Sequence, residues 1–174
     1  TDRTRVVIPV DFAGLPCDLV ELRAVADRHG LVVIEDACHA LGATYQGRPI
    51  GGTGLSDLVC LSFHPVKHIT TGEGGAVLTD DDDLASRLRR HRHHNIVKDE
   101  ALLERKDQGR WYYELHERGT NGRLTDLQCA LGASQLARLG RFVERRQRIA
   151  ARYREAFAHV EGLTCQIEVP HRTN

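Results

Sequence analysis

The chain has 174 residues, enough for one domain with a hydrophobic core, and its 24 basic and 24 acidic side chains give a formal net charge of zero. This balance removes any electrostatic basis for binding nucleic acid or an anionic membrane, and no apolar segment is long enough to predict a bilayer span. Five scattered cysteines without a CxxC pair favour reduced thiols in a cytoplasmic protein over a disulfide framework or a zinc site.

The first predicted elements form a strand–helix–strand unit. Residues 6–10 are a short apolar run that predicts a strand. A helix follows, with Asp18 as its N-cap and Gly30 as its stop signal. Residues 31–34 predict a strand that is buried on both faces, as in a parallel sheet. This order of elements is typical of a βαβ unit and predicts an α/β fold.

Acidic residues follow the second strand, and a loop containing a lysine comes further along the chain. Glu35 and Asp36 stand at the carboxyl end of a strand, where α/β sheets bind ligands. Lys67 lies in a glycine-rich loop between residues 58–61 and 76–78, two apolar runs that we expect to be buried strands. Burial would lower the pKa of Lys67 and suit it to attack a carbonyl group. Lys67 is therefore the best nucleophile candidate, and the alternative is a lysine that extends from a surface loop.

The second half of the chain is predicted to be largely helical. A helix with acidic residues in its first turn covers residues 80–92. Residues 93–122 predict a long irregular loop with at most one helical turn, and loops of this length are often functional. Two more helices are predicted at residues 125–136 and 141–159. Residues 163–169 predict a strand.

A histidine cluster follows the first of these helices. His91, His93 and His94 are close in sequence, but no cysteine or carboxylate stands at ligand spacing from them. The pattern therefore favours a solvated helix end, and we predict no metal site.

The acid at the strand end and the lysine loop together suit pyridoxal phosphate (PLP) chemistry. PLP needs a lysine for its Schiff base and an acidic partner for its pyridine nitrogen. Asp36 and Lys67 match these two requirements, although an acid after a buried strand is common in other proteins too.

Longer motifs around these residues carry a family resemblance. Segments 35–43, 62–75 and 119–128 closely resemble the DegT/DnrJ/EryC1/StrS nucleotide-sugar aminotransferases. Segment 62–75, with 94–98 and 111–114, is most similar to the branch that makes UDP-4-amino-4,6-dideoxy-N-acetyl-β-L-altrosamine for pseudaminic acid. The resemblance implies a fold-type I large domain, a mainly parallel sheet flanked by helices. It also implies amino transfer from glutamate to C4 of a UDP-4-keto-6-deoxy-N-acetylhexosamine.

The resemblance also implies roles for individual residues. Lys67 would be the Schiff-base lysine and the proton shuttle, and Asp36 the partner of the pyridine nitrogen. His39 would lie near the phenolic oxygen of the ring, and Ser62 would donate to the phosphate. Asn121 would reach the phosphate of the other subunit, which implies a homodimer with shared active sites. Without the resemblance, His39 is an ordinary packed histidine, Ser62 ends a strand and Asn121 is a turn residue.

Alternatives remain open beside this interpretation. The substrate could be another nucleotide-linked keto sugar, or the chain could be a truncated, inactive piece that keeps the fold. The related dehydratases are disfavoured, because they carry histidine in place of Lys67. The family usually has aromatic residues at Thr120 and Gly122, and proline at His68. Family members are longer, and this chain has no methionine. We therefore expect residues 1–160 to be the central part of the PLP-binding large domain and residues 161–174 to begin the small domain.

Overall fold

A computed structural model describes all 174 residues, and these divide into two compact units. The first unit combines Thr1–Thr79 with Asp126–Asn174, and the second is Asp80–Thr125. No helix in the protein is both long enough and apolar enough to cross a membrane. In chain order, the helices and strands are β1 (Val6–Val7), α1 (Leu19–His29), β2 (Val32–Asp36), β3 (Thr44–Tyr45), β4 (Arg48–Pro49), β5 (Leu58–Ser62), β6 (Gly75–Leu78), α2 (Asp82–His91), β7 (Ile96–Val97), β8 (Glu114–Leu115), α3 (Asp126–Leu136), α4 (Leu139–Phe157) and β9 (Arg172–Thr173).

The first unit is organised around a four-stranded sheet in the order β1-β2-β5-β6. β1, β2 and β5 run parallel, and β6 is antiparallel to β5. The register pairs Ile34 with Leu58 and Asp36 with Cys60, so β2 and β5 end at the same edge of the sheet. The prediction of an α/β fold with a mainly parallel sheet flanked by helices is confirmed.

Helix α1 begins and ends at the two predicted residues. Gly30 ends it in the left-handed region, at φ 60°, which glycine adopts without a steric penalty. Asp18 stands at the N-cap, but its side chain makes no capping hydrogen bond. Instead, its carboxylate accepts hydrogen bonds from the Tyr45 hydroxyl at 2.8 Å and from the Arg172 guanidinium at 2.7 Å. Asp18 therefore connects the start of α1 to two distant segments.

The hydrophobic core of the first unit lies between the sheet, the start of α1 and the segment that follows β2. Its side chains are almost completely removed from water, and this burial provides the main driving force for the fold. The core cluster consists of Leu19, Ala37, Ala40, Ala43, Tyr45, Ile50, Val59 and Leu61.

The predicted burial of two strands is wrong in part. Residues 31–34 were expected to be buried on both faces, but only alternate residues of β2 are buried, and Val32 is 40% exposed. Val77 in β6 is 45% exposed. In β2 the side chains on one face are buried and those on the other face are partly or fully exposed, whereas no residue of β6 is buried.

Three predicted elements differ from the observed ones. The first strand is limited to Val6–Val7, with an isolated bridge at Val10, because Pro9 has no N–H for the ladder. Residues 163–169 form no strand, and the last strand is β9, which pairs antiparallel with β3. The loop at residues 93–122 contains β7 and β8, which form a two-stranded antiparallel ladder.

The second unit contains α2 and this ladder. The Asp81 carboxylate caps α2 by accepting a hydrogen bond from Leu84 N at 2.8 Å. His93 and Asn121 form an isolated antiparallel bridge in the same unit.

Candidate active site

Asp36 is held by backbone hydrogen bonds on both sides of its strand end. On one side its N–H donates to Pro9 O at 2.8 Å, and its carbonyl oxygen accepts from Asp11 N at 3.0 Å. On the other side, Ala37 N donates to Cys60 O at 3.0 Å. The backbone of Asp36 is therefore fixed between the segment after β1 and the end of β5.

The Asp36 carboxylate is accessible and negatively charged at neutral pH. It accepts a hydrogen bond from Cys38 N at 3.2 Å. The interaction with the nearby Cys38 side chain, whose thiol donates to Cys60 O at 3.8 Å, is the largest cause that lowers the pKa of Asp36, and the charges of His39 and Lys67 lower it further. Burial, and after it the same interaction, raises the pKa of the Cys38 thiol to about 11, so Cys38 stays protonated.

His39 lies beside Asp36 and is oriented by the turn at Phe12–Gly14. Ala13 N donates to His39 Nδ1 at 3.3 Å, and the Phe12 ring packs on the imidazole with centroids 5.9 Å apart. Gly14 lets the two segments approach closely, because a Cβ at this position would lie 2.9 Å from His39 O. The turn therefore sets the position and the tautomer of His39.

The Lys67 loop is closed by its own hydrogen bonds. At its base, Phe63 N donates to Gly74 O at 2.8 Å, and Thr71 N donates to Phe63 O at 3.0 Å. Lys67 N donates to His64 O at 2.9 Å. Ser62 Oγ accepts from His64 N at 3.3 Å, which leaves the hydroxyl hydrogen of Ser62 for another acceptor.

Two C-terminal helices hold this loop from outside. Gln135 Oε1 accepts from Thr70 N at 3.1 Å, and Gln128 Nε2 donates to Glu73 O at 3.0 Å. Both glutamines belong to α3, seven residues apart and so on one helix face. Arg146 in α4 donates to Lys67 O at 3.3 Å. Sequence reasoning did not identify these anchors, although the seven-residue spacing of the glutamines is a usable signal.

Lys67 is less buried than predicted. Its side chain is half-buried, whereas Lys98 and Lys106 in the second unit are exposed. Lys67 is close enough to Asp36 for its charge to lower the pKa of the carboxyl group. Lys67 therefore lies near the Asp36–His39 cluster.

Beside His39 lies a small cavity of about 30 Å³, large enough for one water molecule. His68 and Arg146 are among the residues that line it. The buried Nδ1 of His68 has no hydrogen-bond partner, and burial lowers the pKa of this histidine. His68 is therefore neutral at physiological pH.

The structure brings four of the five predicted site residues together. Asp36, His39, Ser62 and Lys67 lie in the first unit, around the shared edge of β2 and β5. Asn121 belongs to the second unit, where it is exposed and bridges His93.

The donor set of the four clustered residues fits PLP. It provides an amine, a carboxylate with a lowered pKa, an imidazole and a hydroxyl hydrogen without an internal acceptor. These groups suit, in turn, an aldehyde carbon, a protonated pyridine nitrogen, a phenolic oxygen and a phosphate.

Known proteins are similar to this chain in both sequence and fold. The spore coat polysaccharide biosynthesis protein SpsC of Bacillus subtilis is 44% identical over 163 residues, which cover 94% of this chain and 41% of SpsC. The chain thus spans about two fifths of the length of the curated relatives it matches.

Solved structures agree with this similarity. PseC of Helicobacter pylori, an aminotransferase of pseudaminic acid biosynthesis, superposes with a TM-score of 0.83 at 32% identity, over 92% of this chain and 40% of PseC. The PLP form of Spr1654 from Streptococcus pneumoniae gives a TM-score of 0.81 at 29% identity, over 97% and 46%. All of residues 1–174 match one family whose aminotransferases use PLP. The chain therefore belongs to the DegT/DnrJ/EryC1/StrS aminotransferase family.

Proposed function

We propose that this protein is a PLP-dependent aminotransferase that transfers an amino group to the keto carbon of a nucleotide-linked sugar. The observation that carries the proposal is the cluster at the end of β2 and β5, where the charge of Lys67 is close enough to Asp36 to lower the pKa of this carboxyl group. An amine and an acid of opposite charge at this edge are the two groups that PLP chemistry requires.

Asp36 is the proposed partner of the pyridine nitrogen. Bound PLP supplies an electron-withdrawing ring that accepts the electron pair left behind when a proton leaves the substrate carbon. The lowered pKa of Asp36 keeps its carboxylate negative, so that this carboxylate holds a proton on the ring nitrogen. Its backbone hydrogen bonds to Pro9 and Asp11 keep the carboxylate in one position.

Lys67 is the proposed covalent anchor and proton carrier. Its Nζ would hold the cofactor in the resting enzyme and would then carry the proton that moves between the cofactor and the sugar. Ser62 would donate its hydroxyl hydrogen to the phosphate, and His39 would lie near the phenolic oxygen of the ring. The helix anchors Gln135 and Arg146 limit the movement of the Lys67 loop.

Borohydride trapping tests the Lys67 assignment directly. Reduction of the PLP-loaded protein makes the bond between cofactor and lysine permanent, and peptide mapping then locates the label. We expect the label on Lys67 alone, and the exposed Lys98 and Lys106 serve as internal controls. Label on either control without label on Lys67 would disprove the assignment. A protein that takes no label at all would support the alternative of an inactive piece.

For the substrate, we propose a UDP-4-keto-6-deoxy-N-acetylhexosamine aminated at C4, with glutamate as the donor. Segment 62–75 and the structural similarity to PseC support this choice over another nucleotide-linked keto sugar. A panel of UDP- and dTDP-linked 4-keto and 3-keto sugars tests it. A higher kcat/KM with a 3-keto or a dTDP-linked sugar would contradict it.

We further propose a homodimer in which Asn121 completes the site of the other subunit. Lys67→Ala and Asn121→Ala should each be inactive alone, and mixing them should restore activity through heterodimers that retain one intact site. A mixture that stays inactive, although mass spectrometry detects heterodimers, would contradict shared sites.

The remaining proposals concern location and domain boundaries. We propose a cytoplasmic location, which is supported by the free state of all five cysteines. The boundary between large and small domain at residues 160 and 161 stays a prediction.

A further inference from the structure

Two acidic side chains lie completely buried beneath the candidate site. Asp11 and Glu35 both have 0% exposure. Asp11 Oδ2 and Glu35 Oε1 have no hydrogen-bond partner, and the two carboxyl groups are close enough for each to shift the pKa of the other. Because two carboxylates can only accept, a hydrogen bond between these two groups requires one of them to be protonated.

The other neighbours of the pair provide hydrogen bonds but no positive charge. Cys17 N donates to Asp11 Oδ1 at 2.9 Å, and Ser56 Oγ donates to Glu35 Oε2 at 2.6 Å. The titratable groups that face the pair are the Cys17 thiol, which donates to Val10 O, and the Asp36 carboxylate, which is negatively charged. Without a cation, the shared proton is what makes this burial tolerable.

The pair also joins two segments that shape the site. Glu35 belongs to β2, and Asp11 belongs to segment 9–14, which runs beside the end of that strand. Segment 9–14 provides the hydrogen bonds that hold the Asp36 backbone and the one that orients His39. A change in the Asp11–Glu35 pair therefore affects both Asp36 and His39, because segment 9–14 contacts all of these residues.

We propose that Asp11 and Glu35 are positioning residues whose shared proton latches segment 9–14 to β2 and so fixes Asp36 and His39 for the cofactor. The importance of this latch for catalysis rests on the proposed function. The existence of the latch is independent of the proposed function.

The latch is sensitive to pH near neutrality. Burial, more than any other cause, raises the pKa of Glu35 to about 7, and it raises the pKa of Asp11 as well. Above this range the shared proton leaves to solvent, and two adjacent negative charges then repel each other without a hydrogen bond. Segment 9–14 should loosen, and with it the Asp36 and His39 contacts.

The first experiment uses the natural full-length protein without cofactor. NMR follows the side-chain carboxyl carbons of Asp11 and Glu35, the imidazole nitrogens of His39 and the amide of Ala13 between about pH 5 and 9. We expect the carboxyl signals to titrate near neutrality and the His39 and Ala13 signals to change with them.

Isosteric variants separate the shared proton from simple packing. Glu35→Gln can donate to the Asp11 carboxylate at any pH, and Asp11→Asn can do the same for Glu35. Either change should make the His39 and Ala13 signals independent of this titration. Asp57→Asn is the matched control, because this carboxylate binds Arg23 and Val33 N at the opposite end of the strands. The control should leave the titration in place.

The second experiment measures the Kd of PLP by absorbance in wild type and Glu35→Gln. The ratio of the two Kd values isolates the effect of the acidic pair, because Lys67 and PLP are the same in both proteins. The ratio of the wild-type value to the variant value should be near one at about pH 6 and rise to about fivefold or more at about pH 8.5.

Several outcomes would overturn the latch. Carboxyl signals that titrate only at ordinary acidic values would disprove the shared proton. His39 and Ala13 signals that ignore the titration, or a Kd ratio that stays near one, would disprove the positioning role. If the NMR results are as expected but borohydride labels another lysine, the proposed function fails and the latch stands.

Discussion

Glu35 and Asp36 are adjacent carboxylic acids at the end of the same strand, yet their environments are opposite. Glu35 points into the protein, has 0% exposure and has its pKa raised to about 7. Asp36 points to the other face, where Cys38, His39 and Lys67 lower its pKa. Successive residues of a strand face opposite sides of the sheet, so one step along the chain separates a protonated acid from an ionised one.

The comparison explains how one strand end can both stabilise the protein and serve a reaction. The charge of Asp36 is available because it sits among hydrogen-bond donors and positive charge at the surface of the sheet. The proton of Glu35 is retained because no cation reaches the buried face. The two acids should therefore respond differently to substitution and to pH.

The largest effect is expected from Asp36→Asn. A neutral amide cannot hold the proton on the pyridine nitrogen, so the rate of amino transfer should fall by about 10²–10³-fold while Lys67 still binds the cofactor. Stopped-flow absorbance of the single-turnover reaction with glutamate measures this rate. The control is Asp57→Asn, which should react at about the wild-type rate. A near-normal rate in Asp36→Asn would remove Asp36 from the proposed mechanism.

The second effect concerns stability and depends on Glu35. Between about pH 4.5 and 7 the unfolded state releases the Glu35 proton while the folded state keeps it, so the free energy of unfolding falls as pH rises. The total loss should be about 3 kcal/mol, because each unit of pKa difference corresponds to about 1.4 kcal/mol.

Glu35→Gln tests this second effect. Urea unfolding of wild type and variant over the same pH range should give a falling curve for wild type and a flatter one for the variant. Asp36 contributes with the opposite sign, because its lowered pKa adds stability that is lost only as pH falls below about 3.8. A wild-type curve without a decline between pH 4.5 and 7 would contradict the assignment of a buried proton.

Local sequence patterns were sufficient to predict much of the fold and the position of the site. Gly30 at the end of α1 and the acidic first turn of α2 are local signals, because each depends only on the helix to which it belongs. Asp36 ends β2 and Lys67 lies in the loop that follows the neighbouring parallel strand β5, so topology alone brings them to one edge of the sheet. The motif at residues 62–75 then indicated which family of PLP-dependent enzymes the chain resembles.

Features that depend on distant contacts were not predictable. β9 forms because Thr173 and Arg172 reach β3, and the Thr44 and Thr173 hydroxyls bond at 2.8 Å across 129 positions. The Asp11–Glu35 contact joins residues 24 positions apart, and acids are usually exposed. A sequence pattern does not show that Asp11 and Glu35 are buried without a neighbouring cation. It also does not show the shared proton that stabilises these two buried acids.

A smaller effect should follow from removing the hydroxyl that donates to Glu35. In the wild type, the 2.6 Å hydrogen bond from Ser56 favours the ionised form of Glu35 and so lowers the pKa of Glu35. Ser56→Ala deletes this hydrogen bond. The variant should lose about 1 kcal/mol of unfolding free energy at about pH 8, and less at about pH 5, where Glu35 is protonated. Denaturant titrations at the two pH values measure the difference. An equal loss at both values would mean that Ser56 does not distinguish the two forms of Glu35.

The smallest effect is expected on the Asp36 side. Cys38→Ala removes the side-chain interaction that contributes most to the lowered pKa of Asp36, while the hydrogen bond from Cys38 N at 3.2 Å remains. The pKa of Asp36 should rise, but the carboxylate should stay ionised at neutral pH because Lys67 and His39 still lower the pKa. The rate of amino transfer should therefore change by less than about threefold, since the charge that acts on the cofactor is preserved.

NMR titration of the Asp36 carboxyl carbon measures the pKa of Asp36 in the variant. Cys60→Ala is the matched control, because the Cys60 thiol makes no hydrogen bond to Asp36. A rate loss as large as that of Asp36→Asn would mean that Cys38 takes part in the site directly.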